Sequence, residues 1–253
     1  MARGVRQTDG GVSRATAILR RYPVTIAAVA VVVVCFALQW STPLIPLLQR
    51  QGAAIAGGEW WRLFTSFFVQ GSGWGQFAFN TAGLIILGAA VERVRGSMAW
   101  IATAVVAQVG TVGVASLWAP QAYDSGSSFV VGGLAGMLAL ARFSGPRAWV
   151  VTAAAYRVFF VTYLAGLAVA GPVAGAVTGS VVTGAVVALL LRSDLALWAR
   201  YAVLGVTVAA TAVLIVWRDP HGVAVALGMI VAIAWASVHP HVSLISGRSD
   251  ARS

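Results

Sequence analysis

The chain alternates long apolar runs with short breaks that carry polar residues, proline or glycine, and the runs are too uniform to be single faces of soluble helices. Runs of this kind predict membrane-spanning helices near 23–40, 63–90, 98–118, 128–143, 148–170, 172–191, 199–217 and 221–238. Between the first two runs lies a segment of about twenty residues with Pro43, Pro46, Gly57 and Gly58, too broken to cross a bilayer and expected to lie on its surface. The fourth run carries Gly132, Gly133 and Gly136, and the sixth begins near Gly171 and carries Gly175, Gly179 and Gly184. Small residues at four-residue spacing let helices approach closely in lipid, so contact between spans four and six is expected.

Composition sharpens this picture. Apolar residues fill 59% of the 253 positions and charged residues only 9%, a balance that no soluble domain could wrap in polar surface. The expected class is an all-α integral membrane protein of about eight spans, with no separate soluble domain. All 17 basic residues are arginines, and they cluster at span ends, so the net charge of +10 reads as a topology signal and nucleic acid is not an expected partner. Arg20 and Arg21 precede the first span, Arg93 and Arg95 follow the second, Arg142 and Arg147 the fourth, Arg192 and Arg200 the sixth, and Arg248 and Arg252 end the chain. That alternation predicts two cytoplasmic termini, with a bacterial plasma membrane as the expected location; Arg50, Arg62 and Arg218 depart from it. The N-terminus, with Arg3, Arg6 and Arg14, has the charge of a signal peptide, but the run from Pro23 to Trp40 is long for one and is expected to be retained. The single Cys35 is expected to behave as a small buried apolar group.

The candidate chemistry lies at the span edges. Glu59-Trp60-Trp61-Arg62 sets a Glu, an Arg and two Trp beside an apolar run, where charges must be held at the interface or bonded inside protein. Asn80 follows on the second span, Glu92-Arg93-Val94-Arg95-Gly96-Ser97 makes the next turn, and Gly126-Ser127-Ser128 opens the fourth span ahead of Gly133 and Gly136. Together these elements resemble the rhomboid family of intramembrane serine proteases over about residues 20–192. The resemblance implies a rhomboid-like six-helix core (23–192), and the expected division around it is a cytoplasmic basic N-terminus (1–22), two added transmembrane helices (193–239) and a cytoplasmic tail (240–253). The resemblance places Ser128 at the nucleophile position and Asn80 where an amide helps to hold the oxyanion. It gives structural parts to Glu59, Trp61, Arg62, Glu92, Arg93, Gly133 and Gly136, and it implies no cofactor or metal.

Several positions depart from the family pattern. Gln76 replaces the usual His four residues before Asn80, Gln70 is the nearest stand-in for a second missing His, and Phe129 follows the nucleophile where Gly is usual. Aligning the sixth span on Gly179 and Gly184 puts Val177 where the family places its base, and a serine hydroxyl without a base is a poor nucleophile. His221, in Asp219-Pro220-His221-Gly222 and seven residues before Gly228, reproduces part of the missing pattern, but only if span eight takes the place of span six. The plainer reading, which is favoured here, has Asp219 capping a helix that starts at Pro220, with His221 as an interfacial polar residue.

The leading expectation is therefore a rhomboid pseudoprotease that binds transmembrane segments of client proteins within the lipid bilayer. The alternatives are an active protease with Ser128 as nucleophile and His221 as base, and a transporter or scaffold that keeps only the fold. Arg157, in mid-span, is expected to be a structural anchor facing protein, with Glu92, Asp194 or backbone carbonyls as partners. His239 and His241 are expected in a solvated tail rather than a metal site.

Overall fold

In a bilayer every backbone N–H and C=O must find its partner inside the protein, so an apolar chain with this pattern becomes helical. The computed structural model describes residues 19–141, 146–192 and 197–239. Its membrane helices are α1 (Pro23–Leu38), α2 (Gly73–Arg95), α3 (Ser97–Trp118), α4 (Ser128–Ala139), α5 (Arg147–Arg192), α6 (Leu197–Val216) and α7 (Pro220–Val238). Among the described residues, five of these are long and apolar enough to cross a membrane, and α1 and α4 are shorter apolar helices. Arg3, Arg6, Arg14, Arg142, Asp194, His241, Arg248 and Arg252 lie outside the described residues.

The second span begins at Gly73, not near residue 63. The polar stretch Gln70-Gly71-Ser72 intervenes, and Gly73 takes φ +75°, a conformation open to glycine, before the helix starts. Residues 62–72 therefore join the surface segment, which contains short helical turns at Leu44–Leu48, Gly52–Ala56 and Arg62–Thr65. A small antiparallel ladder, β1 (Arg50–Gln51) with β2 (Tyr123–Asp124), ties this segment to the loop before α4. Arg62 clasps it from below, donating to Glu59 Oε2 at 2.6 Å and to the carbonyls of Pro46 and Gln49 at 2.9 and 2.8 Å. Trp61 stays exposed and donates to Leu47 C=O at 3.3 Å, as an amphipathic ring at an interface would. At the other end of α2, Glu92 is buried and accepts the N–H groups of Val24 and Thr25 and the Ser97 hydroxyl, so it caps α1 while holding the α2–α3 turn.

Helix α5 breaks at Ala170 and Gly171, where Gly171 has φ +84°, and Pro172 restarts it. Its halves, 147–169 and 172–192, are the expected spans five and six, and they fold against each other. A Cβ on Gly175 would lie 2.8 Å from the Tyr163 carbonyl, and one on Gly179 3.0 Å from the Phe159 ring. The expected contact between spans four and six is corrected accordingly: span six packs on span five, and the glycines of α4 face α3 and α7. A Cβ on Gly133 would fall 2.4 Å from Ala107 Cβ, one on Gly136 2.0 Å from the Val225 carbonyl, and one on Gly228 2.0 Å from the Gly133 carbonyl. Backbone meets backbone where α4 and α7 cross, so the last helix lies within the core, beside the helix that Ser128 begins. Leu84, Leu87, Val131, Leu134, Met137, Phe160, Leu214 and Val225 fill the space around that crossing. Cys35 is half-buried rather than enclosed.

Candidate active site

Two helix starts build the site. Gly126, at φ +131°, donates its N–H to Ser66 C=O at 2.8 Å and turns the chain so that Ser128 becomes the first residue of α4. A side chain on Gly126 would strike Gln76 Nε2 at 2.6 Å and Asn80 Nδ2 at 3.0 Å, so this glycine is needed for close approach as well as for conformation. The second start follows the end of α6. Arg218 takes the left-handed conformation (φ +54°), its N–H bonds to Ile215 C=O at 3.0 Å, and the Asp219 N–H reaches Leu214 C=O at 2.8 Å. This is the paired ending that usually employs glycine. Asp219 then caps α7 by accepting the His221 N–H, Pro220 supplies the preset first-turn φ, and Gly222 packs on Leu214 and Ile215. The hairpin has little freedom left, and it holds His221 at a fixed height.

At that height His221 meets Ser128. Their atoms Nε2 and Oγ are 2.9 Å apart, and on the other side of the ring Nδ1 is 2.7 Å from Asp219 Oδ1. With the Nδ1–H donated to the carboxylate, Nε2 is left as the acceptor for the Ser128 hydroxyl, which is the tautomer a general base requires. The same Asp219 oxygen takes the His221 N–H at 2.9 Å, so one carboxylate caps the helix and orients the ring. The His221 and Asp219 side chains are 18% and 20% exposed, shielded yet reachable. Phe129 is buried against the imidazole, with ring centroids 5.1 Å apart, and Phe160 approaches edge-on at 6.3 Å. The Phe129 ring thus packs against the His221 imidazole.

Carboxylates also set the local electrostatics. Burial pushes against the charge of Asp219, but its hydrogen bonds and attraction to His221 hold its carboxyl below the ordinary range. Asp124, on β2, shows the opposite balance: burial raises its carboxyl, and the attraction of His221 and Arg50 offsets this only in part.

Amides roof the site where the family pattern has histidines. Gln76 Nε2 donates to Ser125 C=O at 2.6 Å while its Oε1 accepts the Ser72 N–H, and Gly71 N–H donates to Ser125 Oγ at 2.9 Å. Gln70 is fully buried and exchanges backbone bonds with the Gln39 side chain; its Oε1 takes a bond from Asn80 Nδ2 at 2.8 Å. Asn80 is therefore held in place beside Gly126, with its second N–H uncommitted. In α4 the Val131 N–H bonds back to Ser127 C=O, leaving the N–H groups of Ser128 and Phe129 at the open helix end. Donors of this kind suit a developing oxyanion.

The structure therefore brings Ser128, His221, Asn80 and Gln76 into one neighbourhood, while Glu59, Trp61, Arg62 and Glu92 act as fastenings around it. Val177 is 57% exposed on the second half of α5, and Gly184 faces open space, so the helix that offered the family register carries nothing into the site. Sequence reasoning gave Asp219 a capping role and missed its second one. The signal was present, since a cap residue two positions before a His can reach that ring. Arg157 is 4% exposed and donates to Leu138 C=O at 2.6 Å, a carbonyl partner rather than Glu92. His239 stacks on Trp235 at 4.5 Å beyond α7. Among the described residues no group of three His, Cys, Asp or Glu side chains could hold a metal ion.

Searches of curated proteins and of solved structures returned no match. A family model does match: the Rhomboid domain, over residues 57–194. The matched stretch runs from the surface loop through the second half of α5 and takes in Arg62, Asn80 and Ser128, but it stops before His221. It covers more than half of an all-α chain that places a serine at the head of its fourth helix. On that match and that architecture, the chain is an integral membrane protein that belongs to the rhomboid family.

Proposed function

We propose that this protein is an intramembrane serine protease whose base comes from its last helix, and whose substrates are transmembrane segments of other membrane proteins. The observation that carries this reading is the Ser128–His221–Asp219 chain of contacts at 2.9 and 2.7 Å. In the proposed reaction, Ser128 Oγ attacks the scissile carbonyl carbon while its proton passes to His221 Nε2. The Asp219 carboxylate keeps the ring oriented and stabilises the imidazolium. The oxyanion is met by N–H groups at the start of α4 and by the Asn80 amide. As the C–N bond breaks, Nε2 returns its proton to the leaving amine, and water, activated by the same nitrogen, releases the acyl group. The gap in the family register at Val177 is answered by a different helix.

The test is labelling of purified protein by a fluorophosphonate probe, paired with cleavage of a model transmembrane substrate. Wild type should react in both assays, and Ser128→Ala and His221→Ala should lose at least about 10³-fold in cleavage rate. If wild type fails to label while an active rhomboid control reacts, the protease reading is wrong, and a pseudoprotease that binds client segments takes its place.

The arginine alternation further supports a plasma-membrane location with cytoplasmic termini and an outward-facing site. In a Cys35→Ala background, an impermeant maleimide applied to intact cells should label Gln121→Cys. Labelling only after lysis would reverse the orientation.

A further inference from the structure

Arg62 has Glu59 and two carbonyls, but Arg157 lacks any such set. It lies ten residues into α5, about 15 Å along the helix, and is 96% buried, yet among the described residues only Nη1 has a partner, Leu138 C=O, while Nε is buried with none. A cation at such depth is expensive unless an anion or a wet cavity receives it. It lines a cavity of about 50 Å³ between the end of α4, the two halves of α5 and the start of α6, walled by Ala139, Ala154, Leu190 and Val203. Arg200, exposed on the first turn of α6, lines the same cavity. Among the described residues no carboxylate forms an ion pair with either guanidinium. Two arginines therefore converge on one small space, and among the described residues the only acceptor Arg157 has is the carbonyl end of α4.

We propose that this cavity binds a tetrahedral oxyanion through Arg157 and Arg200: a phosphate group, from an anionic phospholipid headgroup or from free phosphate. The volume suits one such group or the few waters it would displace. A guanidinium at the floor and another at the mouth give paired, charge-assisted hydrogen bonds that water or a carbonyl supplies only weakly. The site lies at the C-terminal end of α4, whose N-terminal end carries Ser128, and does not depend on catalysis.

Thermal unfolding of the full chain, followed by tryptophan fluorescence, tests it in three settings: phosphatidylcholine nanodiscs, the same discs with phosphatidylglycerol, and phosphatidylcholine discs with added inorganic phosphate. Wild type should gain about 2–4 °C from phosphatidylglycerol. Arg157→Gln should abolish the gain and Arg200→Gln should at least halve it, while Arg192→Gln, an exposed arginine outside the cavity, should keep it. A gain from inorganic phosphate alone that the cavity variants lose would assign the site to free phosphate. Should Arg157→Gln fail to fold, Arg200→Gln against Arg192→Gln decides. No gain from either probe, or an equal gain in Arg200→Gln and Arg192→Gln, overturns the proposal.

Discussion

The second half of α5 and helix α7 are both apolar and glycine-bearing, and each offers the spacing expected of the helix that faces the nucleophile. They differ in what their glycines touch. Gly175 and Gly179 are spent on the first half of α5, and Gly184 meets nothing, whereas Gly228 meets the Gly133 carbonyl and Gly136 meets α7 backbone. A glycine pattern thus states that a helix can approach another closely and leaves the partner unnamed. The partner is chosen by the loops: the tight Gly171-Pro172 break commits residues 172–192 to their own helix, and the Arg218–Asp219 hairpin delivers α7 to α4.

The contrast can be broken most violently at the helix crossing. Gly136→Leu should drive α4 and α7 apart and eliminate both folded protein and labelling, while Gly184→Leu, on the exposed face, should fold and label like wild type; size-exclusion profiles and probe labelling check the pair. Next in size, Asp219→Asn keeps the helix cap but lets the imidazole adopt the wrong tautomer, so kcat should fall by about 10²–10⁴ with expression unchanged. A smaller effect is expected at Asp124. Its carboxyl is raised by burial, so the folded state holds its proton to higher pH than the unfolded chain does, and stability falls as pH rises between those two values. Asp124→Asn should therefore unfold about 1–2 °C higher than wild type at neutral pH, with the difference vanishing below the carboxylate range. The smallest effect sharpens the comparison: Val177→His in the His221→Ala background should restore no labelling, because residue 177 is exposed on the second half of α5. Recovery of labelling would mean that residues 172–192 can occupy the place of α7.

Much of this architecture was legible in the sequence because membrane helices announce themselves by length and composition. The apolar spans and the surface segment follow from local patterns, whereas the parts given to Arg62 and Glu92 come from the family resemblance. The start of α2 was misplaced because Phe64, Phe67 and Phe68 are as apolar as a span, and only the bonds that Ser66, Gln70 and Gly71 make with the 125–127 loop and Gln39 show that this stretch lies outside the helix. The pairing of Ser128 with His221 was legible as a possibility and was ranked second. Nothing in the chain between these residues, 93 positions apart, states which helix lies beside α4. Phe129 stands out in the sequence as a departure from the usual Gly, and the sequence does not state that its ring packs on His221.

The hairpin that ends in Asp219 has a consequence for biosynthesis. Ser128 leaves the ribosome 93 residues before His221, an interval of about 5–20 s at ordinary translation rates. Throughout that time α4 can settle in the membrane beside other newly made helices with Ser128 not yet paired to His221. Under the proposed reaction, the Arg218–Asp219 hairpin then works as a safety catch in the order of synthesis, and a ribosome that stalls before it leaves behind a chain without the base that Ser128 needs.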